Sequence, residues 1–383
     1  MSVVWSFPTQ VVFGEGTVDT VGSEAKRFGA THALIVTDEG VVNAGLIAPI
    51  AESLSAAGIR CSEFSSVSSN PLESEVLSAA DAYAKQGADL VIGVGGGSPL
   101  DVAKLVRLAA THPLPLSQYD DAANGSEKIV APLPPMLAIP TTAGTGSEVG
   151  RSGVVTIQAT GRKTVIFSPR LLPNVAILDP VLTETLSPRT TAATGFDALS
   201  HCIEAYCAKG DHPMADAIAL AGARLVVDNL ERVVRDGQDR VARGEMLKAS
   251  MMGAVAFQKG LGACHSLAHP LSDLQGLHHG LANALCLPAV LDFNRGVIPE
   301  RIAAIGTILG ARGTDVETLA FECSGALRAL RKKVGLPGGL SELDVDEEAL
   351  PDLAAAAIAD ACHALNPRDC TEEDMLALYR ASC

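Results

Sequence analysis

Basic residues are in short supply in this chain: 29 Lys and Arg stand against 44 Asp and Glu, a formal net charge of −15. An acidic surface gains nothing from a phosphate backbone, and no local block of Lys or Arg reverses the balance. Nucleic acid is therefore not an expected partner. Long apolar runs are missing too. No stretch of about 18 uninterrupted apolar residues suggests a membrane span. The opening "MSVVWSFPTQVVFGEG" has no basic segment leading into an apolar run, so no signal peptide is expected. The nine cysteines are an odd number, scattered and without a C-x-x-C, which argues against a zinc knuckle and a disulfide framework. They read as reduced thiols of a cytoplasmic protein. Aromatic residues make up only 4%, whereas glycine occurs 36 times and hydrophobic residues reach 48%. That balance fits a globular chain with tightly packed helices and ligand sites lined by backbone.

With 383 residues the chain exceeds the roughly 250–300 that one core serves, so two domains are expected. The two halves differ in pattern. In the first, short β-branched runs alternate with helical periods: "HALIVT" (32–37), "IRCSEF" (59–64), "DLVIGV" (89–94) and "MLAIPTT" (136–142) read as strands. "NAGLIAPIAESLSAAG" (43–58) and "LESEVLSAADAYAKQG" (72–87) read as helices. Such alternation implies βαβ units and a parallel sheet. "GVVTIQATGRKTVIF" (153–167) reads as a hairpin around a glycine turn. After "NVAILDP" (174–180) strand signals nearly vanish and helical periods take over, with Ser187–Pro188 as a helix start. The expected division is an α/β dinucleotide-binding domain over 1–180 and an all-helical domain over 181–383.

The segment "GVGGGSPLDVAK" (93–104) follows a buried strand and opens a helix. Glycines allow close backbone approach, and a helix N-terminus offers free N–H groups to a pyrophosphate. Ser98 is the expected N-cap, Pro99 the first helical residue, and Asp101 the closing member of a capping box. The pattern only partly meets G-x-G-x-x-G. It could be a tight turn that binds nothing, but three adjacent glycines exceed what a turn needs. The loop "PTTAGTGSEV" (140–149) follows the next strand, and ligands of open α/β sheets bind at such strand ends. Asp38 ends an early strand. Its carboxylate could accept hydrogen bonds from an adenosine ribose and repel a 2′-phosphate, favouring NAD over NADP, or simply form an Asx turn.

Four of the nine histidines lie in "CHSLAHPLSDLQGLHHG" (264–280). His265 and His269 are spaced i, i+4, as are Asp197 and His201 in "GFDALSHCIEAY" (195–206), so each pair shares a helix face. With His279 they make one carboxylate and four imidazoles, a donor set for a divalent transition metal. Any single pair could be a surface or core feature. Five candidates also exceed four ligands, and one histidine suits proton transfer instead.

Taken together, "GGGSPLDVAK", "IPTTAGTGSEV", "GFDALSHCIEAY" and "CHSLAHPLSDLQGLHHGLANAL" resemble the iron-containing (group III) alcohol dehydrogenase family, over nearly the whole chain and in family order. The resemblance implies the dehydroquinate synthase-like fold, an N-terminal dinucleotide-binding α/β domain followed by an all-α domain. It implies a metal-dependent, NAD(H)-linked dehydrogenase acting on a small alcohol, hydroxy acid or aldehyde, with Fe2+ more expected than Zn2+, and a homodimer. The metal ligands it implies are Asp197, His201, His265 and His279, with His269 beside the nicotinamide or on a proton path. The cofactor contacts it implies are Asp38, Asn70, Gly96, Gly97, Ser98, Thr141, Thr142, Thr145, Lys163 and Leu178; Asp101 is grouped with them from its place in the cradle. His278 has no implied role. Gln258 and Lys259 in "FQKGLGACH", and "LSDLQGLHHG", depart from the family pattern and put the substrate in doubt. For Lys259 two readings stand: a solvated helix end, or a cation aimed at an anionic substrate. Rival functions are a hydroxyacid–oxoacid transhydrogenase, a metal-independent reductase like the maleylacetate reductases, or a non-catalytic metal or nucleotide sensor.

Overall fold

The computed structural model describes residue 7 and residues 9–383. Residues 1–6 and 8, part of the stretch read for a leader, lie outside the described residues.

Residues Phe7–Thr142 and Gly146–Thr185 form one compact unit. Its six-stranded sheet consists of β1 (Gln10–Phe13), β2 (His32–Val36), β3 (Arg60–Phe64), β4 (Leu90–Gly95), β5 (Met136–Pro140) and β8 (Val175–Leu178). The order is β1-β8-β5-β4-β2-β3, and every pairing is parallel. The helices between strands are α1 (Val21–Arg27), α2 (Glu39–Asn43), α3 (Ile47–Ala56), α4 (Glu73–Gln86) and α5 (Gly97–Ala109). Alternate residues of a strand point to opposite faces. Along β2, Leu34 and Val36 enter one core with α5 residues such as Leu105, while Ala33 and Ile35 enter the other with Ile50 and Leu54 of α3. Both faces of the inner strands β2, β4, β5 and β8 are thus buried, which explains why they read as unbroken apolar runs, whereas β1 and β3 at the edges are partly exposed. A separate antiparallel hairpin joins β6 (Ser152–Ile157) to β7 (Arg162–Phe167). Strand β1, at the sheet edge, was not anticipated from its four residues.

The second unit holds Ala143–Thr145 and Leu186–Cys383. It is helical: α6 (Pro188–Cys207), α7 (Pro213–Arg235), α8 (Arg240–Ala256), α9 (Ala263–Leu274), α10 (His279–Asn294), α11 (Pro299–Leu309), α12 (Val316–Lys333), α13 (Leu350–Ala359) and α14 (Glu372–Ala381). Ser187 caps α6 as expected, its side chain accepting from Thr190 N with Pro188 in the first turn. Small residues let these helices pack closely. A Cβ at Gly253 would lie 3.0 Å from the Cβ of His201, and one at Gly280 only 2.1 Å from Ala193 O. Among the described residues no helix is long and apolar enough to cross a membrane.

Candidate active site

In the α/β unit the expected cofactor residues gather where the parallel strands end. Strand β4 runs into Gly95, whose φ of 146° is open to glycine but strained for other residues. A Cβ there would also press to 2.6 Å against Pro99. Helix α5 follows at once, and its N-cap is Gly96, not Ser98. The expected capping box is therefore not formed. Ser98 instead donates its hydroxyl to the Ser69 carbonyl at 2.8 Å, next to Asn70. Asp101 is drawn to the hairpin side: one carboxylate oxygen accepts from Ser147 Oγ at 2.5 Å, the other from Val154 N at 3.1 Å. The buried Lys104 completes this lock, donating to Ser147 Oγ and to the Ser152 carbonyl, both at 2.7 Å. Asp101 thus anchors the hairpin to α5, and the first-turn amides of α5 owe nothing to a side-chain cap.

Asp38 caps α2, accepting from Val41 N at 2.9 Å through one oxygen. Its other oxygen lies beside Gly95, 3.4 Å from where a Cβ would stand. Thr141 is buried and donates its N–H to the Gly95 carbonyl, and the Thr142 side chain sits next to Gly96. Leu178 closes β8. Lys163 lies on β7, paired across the hairpin with Thr156. Thr145 belongs to the helical unit. Asp38, Gly96, Gly97, Ser98, Thr141 and Thr142 are therefore brought together at the ends of β2, β4 and β5, with backbone amides and a fixed carboxylate among them. Such a surface suits a dinucleotide.

In the helical unit the four implied ligands converge from three helices. Asp197 and His201 come from α6, His265 from α9, and His279 is the first residue of α10. Asp197, His265 and His279 each offer a ligand atom, all within 4.8 Å of one another. His279 Nε2 lies 3.5 Å and His201 Nε2 3.9 Å from Asp197 Oδ1. Ligands held at 2.0–2.2 Å on a tetrahedral ion stand about 3.4 Å apart, so these spacings fit a divalent transition metal. Gly280 is what permits the approach of α10, since a Cβ there would meet the Ala193 carbonyl and stand 3.0 Å from Asp197 Cβ. The His201 ring stacks on that of His265 at 4.7 Å.

The electrostatics suit the same use. Burial pushes His201 down to about 4, with Asp197 opposing it, and holds His279 well below the ordinary imidazole value. Burial alone would raise Asp197, but the surrounding imidazoles, His201 foremost, hold it lower. Neutral imidazoles and an ionised carboxylate are the metal-binding forms. For His265, burial acts downward and Glu204 overrides it, leaving its pKa raised.

Three supporting residues escaped the sequence reading. Glu204, 4% exposed, receives His265 Nδ1 in a short hydrogen bond. Asn283, one turn after His279, donates its amide to Asp197 Oδ1 at 2.9 Å and reaches His279 Nε2 at 3.1 Å. Asp360 accepts from His269 Nδ1 at 2.8 Å and also from Ser266 Oγ and Cys362 N. Glu204 sits three residues after His201 in an already noticed motif, so its spacing was the available signal. Asp360 lies 91 residues from its partner, and nothing local marks it. His269, Asp360 and Cys362 also sit close enough to suggest a second donor group. Here Nδ1–H and carboxylate satisfy each other instead. His269 is stacked on His279 at 5.2 Å, and the two side chains, each 29% exposed, form the accessible side of the cluster.

Lys259 fits neither expectation. Its side chain is 1% exposed, and Nζ is paired with Asp216 and bonded to the Tyr206 carbonyl at 2.9 Å. Arg301 grips the same two groups, at 2.9 and 2.7 Å. The lysine is neither solvated nor available to a substrate; it ties the 3-10 turn Phe257–Lys259 to α6 and α7. His278 occupies the N-cap position of α10 without making a capping bond.

Known proteins resemble this chain in sequence and fold. The sequence model of the iron-containing alcohol dehydrogenases matches residues 8–180, and that of the C-terminal part of the Fe-containing alcohol dehydrogenase family matches residues 191–383. A 4-hydroxybutyrate dehydrogenase of Cupriavidus necator is 41% identical, covering 98% of both chains. The crystal structure of a 1,3-propanediol oxidoreductase superposes with a TM-score of 0.96 at 36% identity over all of both chains. A sulfoacetaldehyde reductase of Bifidobacterium kashiwanohense, solved in complex with NAD+, superposes at 0.87 with 29% identity, covering 100% of this chain and 98% of its own. Fold and relatives make the protein an oxidoreductase of the alcohol dehydrogenase class. Within that class, the chain belongs to the iron-containing alcohol dehydrogenase family.

Proposed function

We propose that this enzyme interconverts a short primary alcohol and its aldehyde, using NAD(H) and one divalent metal, Fe2+ in preference to Zn2+. The observation that carries the reading is the convergence of Asp197, His201, His265 and His279 with His269 on the accessible side. When bound, the ion supplies Lewis acidity toward the substrate oxygen and the nicotinamide supplies the hydride acceptor or donor. One carboxylate against three imidazoles leaves about one unit of a divalent ion's charge uncancelled, which favours an anionic substrate oxygen. His269 donates Nδ1–H to Asp360, so Nε2 is the atom that takes up or releases the substrate proton. Asp360 stabilises the imidazolium formed when Nε2 is protonated.

The family's iron supports Fe2+, and the neighbour solved with NAD+ supports NAD. So does Asp38, whose capped carboxylate is held beside the glycine turn, where a 2′-phosphate would be repelled. The C. necator relative supports a short hydroxy acid and its semialdehyde as the substrate class, and the propanediol oxidoreductase supports a diol. A homodimer is the family-level reading. The test is an anaerobic preparation assayed for iron and zinc, then for NADH oxidation across short aldehydes, hydroxyaldehydes and semialdehydes. Metal-free protein with undiminished turnover would overturn the reading; NADH bound but never released as NAD+ would favour the transhydrogenase.

A further inference from the structure

We infer that Glu204 is a positioning residue for the metal centre: one buried carboxylate both starts helix α9 and sets the tautomer and direction of His265. This rests on His265 being a metal ligand.

Helix α9 begins at Ala263, and its N-cap Gly262 has no side chain with which to cap it. The first amides are satisfied from elsewhere. Ala263 N donates to Asn366 Oδ1 at 3.3 Å, Cys264 N to Glu204 Oε1 at 2.8 Å, and His265 N to Glu204 Oε2 at 3.3 Å. A carboxylate at this end also meets the positive pole of the helix. A Cβ at 262 would stand 2.9 Å from both Glu204 Oε1 and Asn366 Oδ1, so a larger residue there would push on the two side chains that receive the first amides.

The same Oε2 receives His265 Nδ1. An ionised carboxylate only accepts, so the ring carries its proton on Nδ1 and turns Nε2 toward Asp197 and His279. Backbone and ring of one residue thus hang on one carboxylate, leaving the ring little freedom to tilt. Glu204 also shares a helix face with two other proposed ligands: Asp197, His201 and Glu204 are at i, i+4 and i+7 on α6. A single stripe of α6 therefore supplies two donors and the support of a third.

Glu204→Gln separates the two roles. The glutamine carbonyl can still accept a first-turn amide, but the amide then presents N–H2 to His265 Nδ1. That would drive the ring proton to Nε2, inside the donor cluster. Loss of such a supporting carboxylate lowers metal affinity about ten- to hundredfold. The experiment titrates Co2+ into metal-stripped full-length protein against a competing chelator, and measures the melting temperature of the stripped proteins. The expected result is a tenfold or greater affinity loss in Glu204→Gln with a stripped-state melting temperature close to the parent's. Glu204→Ala should lose both. Parent-like Co2+ affinity in Glu204→Gln overturns the inference. So does an affinity loss accompanied by a melting drop as large as that of Glu204→Ala, which would reduce Glu204 to a helix cap. His265→Ala in the same titration keeps the two claims apart: if it binds Co2+ like the parent, the ligand assignment itself fails. If it loses Co2+ while Glu204→Gln does not, only the role of Glu204 falls.

Discussion

The two units build their sites by opposite means. In the α/β unit the candidate cofactor surface is made mostly of backbone, at turns such as Gly95–Gly97, and its parts lie at consecutive strand ends. In the helical unit the candidate metal centre is made entirely of side chains, brought from residues up to 82 positions apart on three helices and held by further side chains behind them. Backbone sites tolerate side-chain change as long as glycine stays where a Cβ would collide. Side-chain sites depend on each member and on its supports. Substitutions should therefore hurt far more in the helical unit.

The largest expected effect is His279→Ala. It removes one of four proposed ligands, and loss of Lewis acid assistance worth several kcal/mol corresponds to roughly a thousandfold fall in kcat/KM. Bound metal should fall in parallel, while NADH affinity, read by fluorescence titration, stays near the parent value. A parent-like metal content would break the comparison outright. Asp360→Asn comes next. Without the charge behind Nδ1, His269 should be a poorer proton carrier, and kcat should fall roughly ten- to hundredfold, below the 10²–10⁴ of a whole acid–base group. Metal content should not change; a fall in metal with kcat would assign Asp360 to the metal centre.

Lys259→Met tests a helical residue outside the site. Breaking a buried pair from one side typically costs 3–5 kcal/mol, but Arg301 remains on Asp216, so about 2–3 kcal/mol of stability should be lost. Urea unfolding would measure it, and kcat/KM on anionic and neutral substrates should move together. Selective loss on the anionic one would restore a substrate role for the lysine. The smallest effect is expected in the α/β unit. Asp38→Gly should raise the NADP-over-NAD ratio of kcat/KM about tenfold, equal to about 1.4 kcal/mol. Glycine is also a tolerable N-cap, so stability should fall only by a few tenths of a kcal/mol. A parent that already prefers NADP would refute the reading of Asp38.

Much of this was readable in advance where the signal is local. The strands near residues 32, 89 and 136, the hairpin and the Ser187 cap announce themselves through apolar runs, turn glycines and a Ser-Pro pair. The cap on α5 was misread for a physical reason. Ser98 and Asp101 have the right spacing for a box, but stronger partners in the hairpin and the Ser69 loop claim both side chains, and the helix starts two residues earlier. Lys259 was misread because its partners, Asp216 and the Tyr206 carbonyl, come from other elements.

Sequence alone determined the order of elements, the two-part architecture, the family, and which side chains could bind a cation, because periodicity and i, i+4 spacing act within a few residues. Only the tertiary structure decided which of those side chains meet and which atoms they present. His265 and His269 have equal spacing claims, yet one is turned by Glu204 into the Asp197 cluster while the other is held by Asp360 at its accessible edge. That choice is made by carboxylates 61 and 91 residues away, and at such separations chain packing, not local pattern, sets who is within hydrogen-bond reach.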